Sequence, residues 1–131
     1  MLVDDIKKRA VAAAKEGDTV TRDVLRFALG ELQTAEATKN RALREEESAA
    51  TLRKLIKSNE ETMRALVVAA CAEPDPVVAD LARQTRDGDA DSLVVLEDAL
   101  RERGRDERIA VLRREIEILA SLLPGASLLS P

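Results

Sequence analysis

Apolar residues recur along this chain at spacings of three and four, and no window alternates with period two, so the pattern predicts helices throughout. The first helix is expected over residues 2–16, with Leu2, Ile6, Ala10, Ala13 and Ala14 inward and Asp4 and Asp5 favouring its positive end. Gly17 should end it. A second helix follows from an Asp18 or Thr19 cap to about residue 38, through Val24, Leu25, Ala28, Leu29, Leu32 and Ala35. Residues 39–44 read as a polar connector. The third helix opens on Glu45-Glu46-Glu47 and keeps phase through Leu52, Leu55, Ile56, Asn59, Met63, Leu66, Val67 and Ala70 to about residue 72. Asn59, the one polar residue in that stripe, reads as a register-setting group. Glu73-Pro74-Asp75-Pro76 is a strong stop.

Residues 77–104 read as an inserted helical segment of two short helices. The first carries Val78, Leu81 and Ala82, and the second, capped by Asp91 or Ser92, carries Leu93, Leu96 and Leu100 before Gly104. The last helix is expected over 105–123, with Ile109, Leu112, Ile116, Leu119 and Leu123 as its stripe, Val111, Ile118 and Leu122 on a flank, and Pro124 as its stop. The expected fold class is all-α, a bundle of about four to six helices with an inserted helical hairpin. Helices two, three and last should form its core, within one domain spanning residues 1–131.

Composition narrows the chemistry. Trp and Tyr are absent, Phe occurs once, and Gly and Pro number five and four, which suits helices over strands. Without any His, an imidazole acid/base relay, a His metal ligand or a Ser-His triad cannot be built from this chain. Its single Cys, in the apolar run 66–72, reads as a structural thiol and provides neither an internal disulfide nor a Cys-rich zinc site. The N-terminus lacks a signal-peptide pattern, and the longest apolar run of about seven residues is far below the roughly 20 that span a bilayer, so a cytoplasmic, non-membrane protein is expected. A net charge of −4 opposes sequence-independent wrapping of nucleic acid, and no DNA partner is expected.

Three stretches, taken together, resemble the GatB/YqeY family of small bacterial helical proteins. The first is Asp18 followed by Thr21-Arg22-Asp23-Val24-Leu25-Arg26, with Gly30-Glu31 and Glu36. The second runs from Leu43 to Glu61, an acidic helix start leading into a Lys-rich amphipathic helix. The third is Arg114-Glu115-Ile116-Glu117-Ile118-Leu119 through Leu122-Leu123-Pro124, similar to the family's Glu-rich helix that ends Tyr-Leu-Pro. The resemblance covers residues 2–66 and 104–124. Leu122 replaces the usual Tyr, Gly125-Ala126-Ser127 replaces the usual continuation, residues 67–103 read as an insertion, and the chain stops where typical members begin a three-helix tail. The resemblance implies kinship with the tail region of the B subunit of tRNA-dependent amidotransferases, and a link to carbon–nitrogen ligase activity with glutamine as amido-N-donor. It also implies tRNA, amidotransferase or aminoacyl-tRNA factors as partners.

The residues themselves assemble no active site. There is no Gly-rich loop opening a helix to cradle phosphate, and no convergent carboxylate set for magnesium, so no catalytic residue, cofactor or metal is expected. Asp87, Asp89 and Asp91 alternate as in a calcium loop, with Asp98 at the twelfth position. Yet Ser92 stands where that loop needs Gly, and an acidic helix start explains the same letters. The RNA- or partner-binding candidates are Arg22, Arg26, Arg53, Lys54 and Lys57, with Lys39 and Arg41 beside them, which meet if helices two and three pack antiparallel. With no aromatic interleaved, an RNA contact there would be to backbone and shape. The competing expectation is a solvated face neutralised by Glu60 and Glu61. The Leu-rich last helix makes a second copy of the chain a further expected partner.

Overall fold

Residues 2–123 are described by the computed structural model. They form six helices, α1 (Leu2–Glu16), α2 (Thr19–Lys39), α3 (Glu45–Ala70), α4 (Pro76–Arg86), α5 (Ala90–Glu102) and α6 (Arg108–Leu122), and no strand occurs among the described residues. The fold is the expected all-α bundle with its inserted hairpin. Pro124 as a stop, and Gly125-Ala126-Ser127, lie outside the described residues.

The chain divides into two units, one built from residues up to Ser58 together with those from Glu115 onward, the other spanning Asn59–Arg114. The first unit packs α1 against α2. Ile6, Leu25, Leu32, Leu52 and Leu119 lie wholly or almost wholly out of water in its core, joined by Leu2, Val24, Ala28, Leu43, Ile118 and Leu122. The expected inward set of α1 holds except for Ala14, which is exposed. Two long-range bonds fix α1 here: the Leu2 amide donates to Glu45 Oε1 at 2.7 Å, and Arg9 Nη2 donates to Ser121 Oγ at 3.1 Å.

Side-chain caps decide where these helices begin and end. Asp18 caps α2, accepting from the Thr21 amide at 3.1 Å. At the far end Asn40 adopts the left-handed conformation (φ 55°), its N–H donates to the Ala37 carbonyl, and Arg41 N–H donates to the Glu36 carbonyl. That closure carries α2 one residue further than expected, because Asn tolerates the left-handed region better than most side chains. The connector beyond is not wholly polar: Leu43 is buried in the core, its amide held by Glu36 Oε2 at 3.2 Å.

Glu47 organises the start of α3. It accepts from Arg41 Nη1 and Nη2 at 2.8 and 2.9 Å and from the Arg44 amide at 2.9 Å, with Lys39 Nζ at 3.2 Å. The Arg41 fork, then the Arg44 amide, hold its carboxyl well below the usual range. A carboxyl depressed in the folded state adds stability above its unfolded pKa of about 4.3 and loses that contribution as pH falls. The urea-midpoint gap between wild type and Glu47→Gln should therefore be widest at neutral pH and close steadily as pH falls from about 4 toward 2. A gap that does not change with pH would remove Glu47 from this role.

In the second unit α4 packs against α5 over a core of Val67, Val78, Ala82, Leu96, Ala99, Leu100 and Ile109. Small residues on both helices let the backbones approach. Asp75 caps α4, accepting from the Val77 amide at 2.9 Å, and also pairs with Arg103, which together with that cap lowers its pKa. Asp89, not Asp91 or Ser92, caps α5, accepting from both of their amides at 3.1 and 3.4 Å. Gly104 (φ 63°) closes α5, with Arg105 N–H donating to the Leu100 carbonyl at 2.9 Å. Asp106 then accepts the Arg108 amide at 2.9 Å. These two bonds delay α6 to Arg108, three residues beyond the expected start.

Candidate functional site

Four local settings hold the seven candidate bases. Arg22, on α2, turns back to its neighbour and donates from Nε to Asp23 Oδ1 at 2.9 Å. Lys39 and Arg41 are drawn to Glu47 at the start of α3. Arg26 lies at the seam of α1 and α2, beside Ala10, Val11, Ala14 and Lys15. Arg53, Lys54 and Lys57 are all exposed on α3.

The last three share a face for a simple reason. The core side of α3 in this unit is Ser48, Ala49 and Leu52, with Leu55 and Ile56 packed beside it. At about 100° per residue, Arg53, Lys54 and Lys57 fall on the opposite half of the cylinder. Glu46, Glu60 and Glu61 are exposed on the same helix and fall among them, so the face carries both signs.

The remaining sequence candidates resolve plainly. Asp87 pairs with Arg86 at 3.1 Å while Asp89 is engaged as a helix cap, and among the described residues no group of three His, Cys, Asp or Glu is placed to hold a metal ion. Cys71 is half-buried against the second core, its Sγ 3.5 Å from the Val67 carbonyl oxygen. Asn59 is half-buried. In the second unit a groove of about 610 Å³ runs over Met63, Val67 and Leu93, with Arg64 and Arg86 among its lining.

Two features escaped the sequence reading. Phe27, the chain's only aromatic residue, is 59% exposed. Its helical phase against Val24, Leu25, Ala28 and Leu32 gives that away, since it falls on the opposite side of α2. The other is the pair formed by buried Glu97 with Arg113, where Glu97 takes a place on the Leu93, Leu96 and Leu100 side of α5. A carboxylate inside an apolar stripe is the signal that marked it.

Among the described residues no helix is long and apolar enough to cross a membrane. No protein-family model, no curated protein and no solved structure matches the chain.

Proposed function

We propose that this chain is a YqeY-like helical module that works by contact with a partner and performs no chemistry unaided, in the setting of glutamine-dependent, tRNA-linked amidation. The three stretches that carry the family resemblance supply α2, the first half of α3 and the end of α6, and their apolar residues enter one core. That convergence supports the kinship. The observation that carries the contact reading is the outward side of α2.

From Phe27 to Thr38 the exposed residues are Phe27, Gly30, Gln33, Thr34, Ala37 and Thr38, none of them charged, in a chain with 35% charged residues. The Thr34 and Thr38 hydroxyls donate to carbonyls one turn back, at 2.9 and 3.0 Å, so their hydrogen-bonding needs are met within the helix. Gly30 has no positive φ, and a Cβ there would meet nothing, although Ala would favour the helix by about 1 kcal/mol. An aromatic beside a bare helix turn on an uncharged strip suits the close approach of another molecule.

Co-purification from the natural host tests this. The wild-type chain should bring down amidotransferase subunits or aminoacyl-tRNA factors, and Phe27→Glu should reduce their recovery at least fivefold while its melting curve stays native. Equal recovery by both chains, or recovery of unrelated proteins alone, overturns the reading.

A second reading, contact with the tRNA backbone, is favoured by the joint exposure of Arg53, Lys54 and Lys57. Three phosphate contacts should lower affinity roughly thirty- to fortyfold between 50 and 200 mM salt in filter binding. No retention of tRNA even at low salt would end it.

A further inference from the structure

We infer that the seam of α1 and α2 is a docking groove for an acidic amphipathic helix of a partner protein. The inference rests on the contact reading above and names the partner chemistry for a second face of the same unit. It begins with residue size. Ala10 and Ala14 lie one turn apart on α1, and with only a methyl each they leave a depression that larger side chains would fill. The depression is about 300 Å³, floored and walled by Ala10, Val11 and Ala14, with Lys15 and Arg26 completing its lining. Val11 is 55% exposed there, an apolar cost that a seated side chain would relieve.

Charge selects the occupant. Among the described residues neither the Lys15 nor the Arg26 side chain makes a hydrogen bond or an ion pair, and no carboxylate lines the groove. On and just beyond α2 the other bases are matched: Arg22 has Asp23, and Lys39 and Arg41 have Glu47. Two unmatched cations flanking an apolar depression, in a chain where acids outnumber bases 25 to 21, form a local positive patch against the overall sign. An RNA backbone would use the charges and gain nothing from the Ala-Val floor. A helix carrying one aliphatic anchor with Asp or Glu a turn to either side uses both. Arg26 can grip one carboxylate with its planar fork, and Lys15 meets another as a point charge.

Selection from a displayed library of helical peptides, with outward positions randomised and the full chain as bait, tests the groove. Enriched sequences should pair Leu, Ile or Met with Asp or Glu one turn away. Their retention should fall at least tenfold on the Lys15→Glu/Arg26→Glu chain, at least tenfold on Ala14→Trp, which fills the depression, and not at all on Phe27→Glu. All four positions are exposed, and circular dichroism checks that each variant keeps its helices. No enrichment, enrichment of basic or uncharged peptides, or retention indifferent to the groove variants overturns the inference. Acidic peptides lost on Phe27→Glu but kept on the groove variants would overturn the groove and leave the contact reading standing. Loss of tRNA retention on Lys15→Glu/Arg26→Glu without any acidic-peptide binding would assign the groove to RNA and overturn it as well.

Discussion

Replacing Glu97 with alanine is expected to cost the second unit about 3 kcal/mol, read as a lower urea midpoint at neutral pH. The Glu97 side chain is 2% exposed, and both carboxylate oxygens are engaged by Arg113: Oε2 pairs with Nε, and Oε1 accepts from Nη2 at 2.9 Å. Breaking a buried pair by removing one partner typically costs about 3–5 kcal/mol, because the other charge is left behind. The Arg113 side chain is 35% exposed, so its guanidinium can recover water, which places the expectation at the low end. The converse variant separates this from simple packing loss. Arg113→Met leaves a buried carboxylate without its fork, an uncompensated charge that should cost at least as much as Glu97→Ala although an apolar side chain of similar length stays in place. Glu97→Leu combined with Arg113→Met should recover most of either single loss, since an apolar pair of similar volume replaces the ionic one. Single-variant costs that simply add in the double variant would show that the pair itself contributes nothing.

How much of this was legible in the letters depends on whether the determining interaction is local. α1 begins and ends where its pattern placed it, because Gly17 and the Ala/Leu/Ile periodicity act within a few residues. The Asp75 cap and the Pro76 start of α4 follow equally local rules. α6 departs from its sequence pattern in two ways with one kind of cause. Its start depends on Gly104 and Asp106, and its inward face depends on which core each turn meets. Ile109 is buried in the second core, while Ile118, Leu119 and Leu122 are buried in the first. A single stripe through Ile109, Leu112, Ile116, Leu119 and Leu123 presumes one partner along the whole helix, and so assigned Ile118 and Leu122 to a flank. Leu43 was hidden because a lone apolar residue in a polar connector has no periodic neighbours to announce it. Among the candidate bases, exposure of Arg53, Lys54 and Lys57 followed from helical phase. The commitments of Arg41 to Glu47 and of Glu97 to Arg113 join residues six and sixteen positions apart across helix boundaries, where no period operates. The pairing of Arg26 with Lys15 around the α1–α2 groove likewise required the packed helices.

Leu25→Ala is expected to destabilise the first unit by about 3–4 kcal/mol, whereas Phe27→Ala, two residues along the same helix, should change stability by less than about 1 kcal/mol. Leu25 is 0% exposed and sits in the core with Ile6, Ala28, Leu32 and Leu52. Truncation there removes the transfer free energy of the lost atoms and leaves a cavity, and the surrounding helices relax into it only partly. Against a total of about 5–15 kcal/mol for a natural domain, that loss should be plain in thermal and urea unfolding. Phe27 is the larger side chain, and by residue type alone its removal should matter more. Its exposure reverses the order, because most of its surface stays in water in the folded chain and little burial is lost on truncation. The contrast therefore separates what holds the fold from what the fold presents. If Phe27→Ala were to cost as much as Leu25→Ala, α2 would have to bury its outward side within the isolated chain, and the contact reading of that strip would fall with it.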